Sequence, residues 1–169
     1  MQKQIDDIMA SLENREDLFF DRLDPKFLKV QTNVTTRHGQ LIEEWLLQSV
    51  DSLDHMESTR IEASVGETEV DAVLINHETR RVLLLEVKRK AGQNSTSLKS
   101  ISRKIQAFPE IAKAIIPEGY GTSSSCFYYY AVGAMRENIT AEDLNAFCGA
   151  NIVAKLESNT TEFIDRLNG

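Results

Sequence analysis

Val82-Leu83-Leu84-Leu85 is an apolar run that closes on Glu86, Val87 and Lys88, so a segment that reads as a buried strand ends in a carboxylate and an ammonium. Side chains alternate along a strand, which puts Glu86 and Lys88 on one face. Just upstream, in the stretch ETEVDAVLI, Asp71 shares its face with Val73 and Ile75. A two-residue turn at His77-Glu78, or a four-residue one at Asn76 to Thr79, pairs the two strands with residue 71 opposite 84 and 73 opposite 82. Asp71 and Glu86 are then diagonal neighbours on one face, about 7–8 Å apart at the backbone. A turn of odd length would send one of them to the other face. Two carboxylates at a strand end suit a hard divalent ion that keeps several waters and accepts phosphate oxygens. Lys88 beside them would set a positive charge near an attacking water and near charge building on phosphorus. A Glu-x-Lys pair alone is more often a surface ion pair of little worth. Asp71 on the matching face is what separates the two readings.

The elements that must hold these groups follow from periodicity. Ile5, Ile8, Met9, Leu12 and Phe19 predict a helix from about Gln4 to Phe20, ended by Asp24-Pro25. KFLKVQTNVTT reads as an extended connector or edge strand. RHGQLIEEWLLQSVDSL is a helix whose apolar arc holds Leu41, Ile42, Trp45, Leu46, Val50 and Leu53. Glu43 sits at the edge of that arc, leaning toward the carboxylates, while Glu44 points into solvent. RIEASV alternates as a half-buried strand, and the strands of Asp71 and Glu86 follow around the turn residues NHET. After the polar loop AGQNSTS, a stripe of Leu98, Ile101, Ile105, Phe108, Ala112 and Ile115 predicts a helix, kinked or restarted at Pro109. PEGYGTSSS reads as a loop, CFYYYAVGAM as a buried strand and Thr140 to Asp143 as a helix start. NIVAKLE is read as a last strand and TTEFIDRL as a terminal helix. The sum is an α/β domain with helices on both sides of a mixed sheet.

A chain of 169 residues suits one domain with a sizeable core. Its ordinary apolar and charged fractions exclude wholesale disorder. The N-terminus has no signal-peptide pattern, and the longest apolar run, Cys126 to Met135, is too short for a bilayer. Cys126 and Cys148 have no zinc-type spacing, so reduced thiols and an intracellular setting, cytoplasm or nucleoid or nucleus, are expected. The net charge of −7 is unevenly spread: residues 1–78 carry −10, 79–104 carry +7 and 105–169 carry −4. A basic segment on an acidic body either holds a polyanion in one place or is a solvated face.

Asp71 followed by VLLLEVKRK, with Glu86-Val87-Lys88, resembles the PD-(D/E)xK nuclease superfamily, the restriction-endonuclease-like fold. GQLIEEWL resembles the Gly-x-x-x-Glu helix that precedes that motif in archaeal Holliday-junction resolvases and related families. The resemblance covers roughly residues 37 to 135 and implies an αβββαβ core within a nuclease-like domain at 37–169, with 1–36 as a helical extension and connector. It implies an Mg²⁺- or Mn²⁺-dependent nuclease that hydrolyses DNA phosphodiester bonds, on linear or branched DNA. By the same resemblance Asp71 and Glu86 bind the metal, Lys88 orients or polarises the water and Glu43 is a further metal or water ligand. The backbone carbonyl of Val87 adds a ligand, and Val70 stands where the family pattern has Pro. Lys99, Arg103 and Lys104 lie off the apolar stripe of a helix that meets the nucleic-acid backbone in related folds, and Arg89 and Lys90 extend that patch. The alternative is a catalytically silent domain of this fold that binds DNA or protein.

The remaining motifs carry less. His38, His55 and His77 show no metal-ligand spacing and suit turn or surface roles. GYGTSSS lacks the Gly-Lys-Ser/Thr of a phosphate loop, and Trp45 and Tyr128 to Tyr130 suit the core. The N-terminal helix needs a cover for its stripe, either a second copy, which would make a homodimer, or its own domain.

Overall fold

Both faces of the sheet are covered, which is why its inner strands read as nearly continuous apolar runs. A computed structural model of the protein describes Asp6 and residues 32–63, 66–90, 98–130 and 138–168. The elements in order are α1 (Thr32–Asp51), β1 (Met56–Ile61), β2 (Val70–Asn76), β3 (Arg81–Lys90), α2 (Leu98–Ile111), β4 (Gly121–Tyr130), β5 (Asn138–Ile139), α3 (Ala141–Cys148) and α4 (Val153–Asn168). The five strands lie in the order β1-β2-β3-β4-β5. β2 runs antiparallel to its neighbours β1 and β3, whereas β4 and β5 run parallel to β3. The fold is therefore a mixed α/β sheet flanked, among the described residues, by four helices. The predicted helix over Gln4 to Phe20 lies outside the described residues, apart from Asp6.

Alternation on the strands sorts the core into two layers. Val73, Ile75, Val82, Leu84, Cys126 and Tyr128 meet Ile101, Ile105 and Phe108 of α2. Ala72, Leu74, Leu83, Leu85 and Val87 meet α1 through Leu41, Ile42, Trp45 and Leu46, with Phe163 of α4 behind them. Glu43, on α1, and Lys104, on α2, consequently approach the sheet from opposite sides.

Several predicted elements are corrected. The link between β2 and β3 is a four-residue turn at 77–80, closed by the pair Asn76 and Arg81, with Arg80 at φ 53°. Asn76 Oδ1 accepts the Thr79 N–H at 2.9 Å, an Asx-type turn that moves the register by two residues, so Val73 pairs with Leu84. An even shift keeps each side chain on its face. The first strand begins at Met56, ahead of the predicted RIEASV, because it is tied straight to the end of α1. There the Ser58 N–H donates to Asp51 Oδ1 at 2.7 Å and the Ser58 hydroxyl to the Leu47 carbonyl at 3.1 Å. NVTT belongs to α1 rather than to a connector. Gly121 to Ser125, read as loop, is strand, since every residue from Gly121 to Ser125 pairs with β3. Pro109 lies within α2 without ending it. NIVAKLE is not a strand. Asn151 accepts the Ala154 N–H at 3.2 Å as an N-cap, and α4 runs on from Val153 with Leu156, Thr160, Phe163 and Ile164 buried at helical spacing. The helix start at Thr140 is a full capping box: its hydroxyl accepts the Asp143 N–H at 3.1 Å, and Asp143 accepts the Thr140 N–H at 2.9 Å.

Candidate functional site

One step beyond the last pair of the β2–β3 ladder, Ala72 with Leu85, Asp71 and Glu86 come face to face. Asp71 Oδ2 accepts the Val87 N–H at 2.9 Å, which ties the carboxylate to the neighbouring strand. Glu86 is 1% exposed, an expensive place for a lone charge. Two ammoniums hold it. Lys88 Nζ lies 2.6 Å from Oε1, and Lys104 Nζ, reaching down from α2, lies 2.5 Å from Oε2. The second contact lacks hydrogen-bond geometry, since Oε2 has no hydrogen-bond partner. The α2 side of the sheet thus carries an alternating row of charge rather than a bare acidic pair.

Glu43 comes from the other layer. Its carboxylate pairs with Arg60 of β1, and it shares with Asp71 a cleft of about 400 Å³ lined also by Gly39, Gln40 and Glu69. Burial pushes the Glu43 carboxyl up to about 7, with Asp71 and Glu86 adding to the rise against the pull of Arg60. Asp71 is pushed up to about 6, first by burial and then by Glu86, against the Val87 N–H that favours its ionised form. At Lys88 burial alone would lower the pKa, but the hydrogen bond and charge of Glu86, with Asp71 behind, leave it raised. Cys126 and Tyr128 pair with Glu86 and Lys88 across the parallel ladder and close the back of the cluster. Burial pushes the Cys126 thiol up to about 12 and raises Tyr128 as well, so both stay neutral at pH 7.

The predicted site residues separate into groups. Asp71, Glu86 and Lys88 meet at one sheet end, and Glu43 reaches the same end from the opposite face. Among the described residues no group of three or more His, Cys, Asp or Glu is placed to hold a metal. Basic side chains hold two of these carboxylates, Lys88 and Lys104 on Glu86 and Arg60 on Glu43. Val87 contributes its N–H to Asp71, and its side chain packs in the α1 layer. Lys99 and Arg103 are exposed on α2, whereas Lys104 turns in to Glu86. The side chains of Arg89 and Lys90 lie outside the described residues. Arg60, Cys126 and Tyr128 were missed by the sequence reading. Cys126 and Tyr128 become visible only once the parallel β3–β4 register is known, and Arg60, the first residue of the predicted RIEASV strand, only once the packing of α1 against β1 brings it to Glu43. His38 is buried and stacked on Phe163 at 5.3 Å between ring centroids, not a surface or turn residue. No helix among the described residues is long and apolar enough to cross a membrane.

Comparison with known proteins overturns the family expectation. No family model and no curated protein matches the chain. Solved structures that it matches include the SUMO protease Ulp1 with its catalytic cysteine oxidised to a sulfinic acid, at 10% identity and a TM-score of 0.31, over 97% of this chain and 96% of that one. The sulfenic acid form of that protease gives 11% identity and a TM-score of 0.32, over 94% of this chain and 84% of that one. With no matching family model, membership of the PD-(D/E)xK superfamily, hydrolysis of DNA phosphodiester bonds and the metal-dependent nuclease class find no support and are withdrawn, and the silent nuclease-fold alternative is not clearly supported either. Likeness at this level assigns no protease chemistry either, and both described cysteines are buried and free.

Proposed function

We propose that this end of the sheet binds a divalent cation, Mg²⁺ or Mn²⁺, together with the phosphate backbone of DNA. The observation that carries the reading is the placing of Asp71 and Glu86 on facing strands at one sheet end, with Glu43 in the cleft it shares with Asp71; burial raises Asp71 to about 6 and Glu43 to about 7. Carboxylates crowded in a half-dry site repel, and a hard cation relieves both the repulsion and the desolvation. The donor set suits that ion in being all oxygens, and the ion would take a place on Glu86 that the ammoniums now hold. Asp71 and Glu86 would hold the ion, with Glu43 approaching through the shared cleft. When bound, the ion would neutralise the carboxylates and present open positions to phosphate oxygens. Lys99 and Arg103, exposed on the adjacent α2, would meet phosphates further along the strand. The reading is one of binding and assigns no bond breaking to the site.

The test is equilibrium binding of fluorescent duplex and branched oligonucleotides in Mg²⁺ and in EDTA, with the DNA re-examined for length afterwards. The expected result is tighter binding in Mg²⁺ that Asp71→Asn with Glu86→Gln abolishes, and recovery of intact DNA. Equal affinity with and without the ion overturns the reading. Strand scission contradicts the restriction to binding.

A further inference from the structure

Lys104 and Lys88 hold the two oxygens of one buried carboxylate, yet they hold them differently. Lys88 stands on β3 itself, two residues from Glu86 on the same face, and donates a hydrogen bond to it. Lys104 arrives from a neighbouring helix, and its 2.5 Å approach to Oε2 makes no hydrogen bond. Its charge is also felt at Asp71 more strongly than that of Lys88. Its ammonium occupies the Glu86 oxygen on which an ion shared with Asp71 would draw. The four-carbon stem of Lys104, 28% exposed, leaves it room to swing outward along α2 toward Lys99 and Arg103, which are exposed there.

We propose that Lys104 is an internal stand-in for the divalent ion: it occupies Glu86 until the ion enters, then turns out to bind DNA phosphate. The inference rests on the cation and DNA reading of this site. Its consequence is a coupling. The ion releases Lys104 for phosphate, and DNA phosphate, by holding Lys104 outside, vacates the ion's place. Linkage requires the two effects to be the same factor. A lysine that merely stabilised the fold would produce no such reciprocity.

The experiment is calorimetric titration of Mn²⁺ into the full chain, with and without a saturating short duplex and with the duplex-only titration subtracted. For the wild type, Mn²⁺ affinity should rise about fivefold or more when DNA is present. Lys104→Met should bind Mn²⁺ more tightly than the wild type in the absence of DNA, because the competing ammonium is gone. It should show less coupling, and in Mn²⁺ its DNA affinity should fall less steeply with salt, by about one phosphate contact. Lys104→Arg keeps the charge and should keep part of the coupling, which guards against a folding defect in the methionine variant. Undiminished coupling in Lys104→Met, or weaker Mn²⁺ binding by it with the melting temperature intact, overturns the exchange. Wild type that binds both ligands without coupling sinks the underlying reading and the exchange together, whereas coupling that survives undiminished in Lys104→Met sinks the exchange alone. Wild type that binds no Mn²⁺ in either titration sinks the underlying reading and the exchange with it.

Discussion

Glu43 and Asp71 are carboxyls that burial pushes up to about 7 and about 6, while Glu86 is one that the fold clamps between ammoniums. The distinction fixes the sign of a pH effect. Glu43 rises from 4.5 to about 7 and Asp71 from 3.8 to about 6, so between those limits the folded state holds protons that the unfolded chain has lost. Stability therefore falls as pH rises through this window. Thermal melts in EDTA should give a melting temperature that climbs as pH is lowered from 8 to about 5.5, until other groups titrate. Glu43→Gln should flatten that profile and raise the melting temperature at pH 8; an unchanged profile would mean that Arg60 already satisfies the carboxylate. For cation binding the same groups act the other way, since the ion needs the ionised forms: its affinity should drop as pH falls through 7 and 6. Much of this was legible in the sequence. Period-two alternation brought Asp71 and Glu86 to one face, and helical spacing put Glu43 on the rim of its apolar arc. The Lys104 clamp was not legible, because it depends on how deep α2 sits over β3, and no local pattern encodes that.

At the scale of elements, α2 is the part on which the site leans. Phe108 is fully buried between this helix and the sheet, about one turn along the helix from Lys104. Phe108→Ala should destabilise the protein by about 3–5 kcal/mol, read from urea unfolding. A loss under about 1 kcal/mol would show that α2 is not anchored there. Asn151→Ala should cost about 1 kcal/mol through the lost N-cap of α4, with the same denaturation measurement as the check. Where the sequence misled, the cause was tertiary. VAKLE alternates well enough for a strand, but the Asn151 cap and the α1 layer make it helical. The Ser-rich stretch before Cys126 has the composition of a loop, but the parallel ladder with β3 claims it. Strand parity survived a wrong turn position because Asn76 closes a turn that is still even. The element order αβββαβ was readable, and it did not carry a family with it.

On the scale of the whole molecule, an acidic chain with charge −7 concentrates +7 on residues 79–104, and two lysines of that segment, Lys88 and Lys104, meet Glu86. Repulsion from the remaining surface should confine a polyanion to this end. Lys99→Ala and Arg103→Ala should each weaken DNA binding across sequences and reduce the salt slope by about one, measured by anisotropy over a range of KCl. An unchanged slope would move the contact surface elsewhere. The central claim is that Asp71 and Glu86 are built to share one cation. It is tested most directly by the anomalous diffraction of a crystal soaked in Mn²⁺. The account predicts one strong peak between the two carboxylates, with Lys104 turned away from Glu86. A map with Lys104 still on Glu86 and no peak beside Asp71 would contradict it.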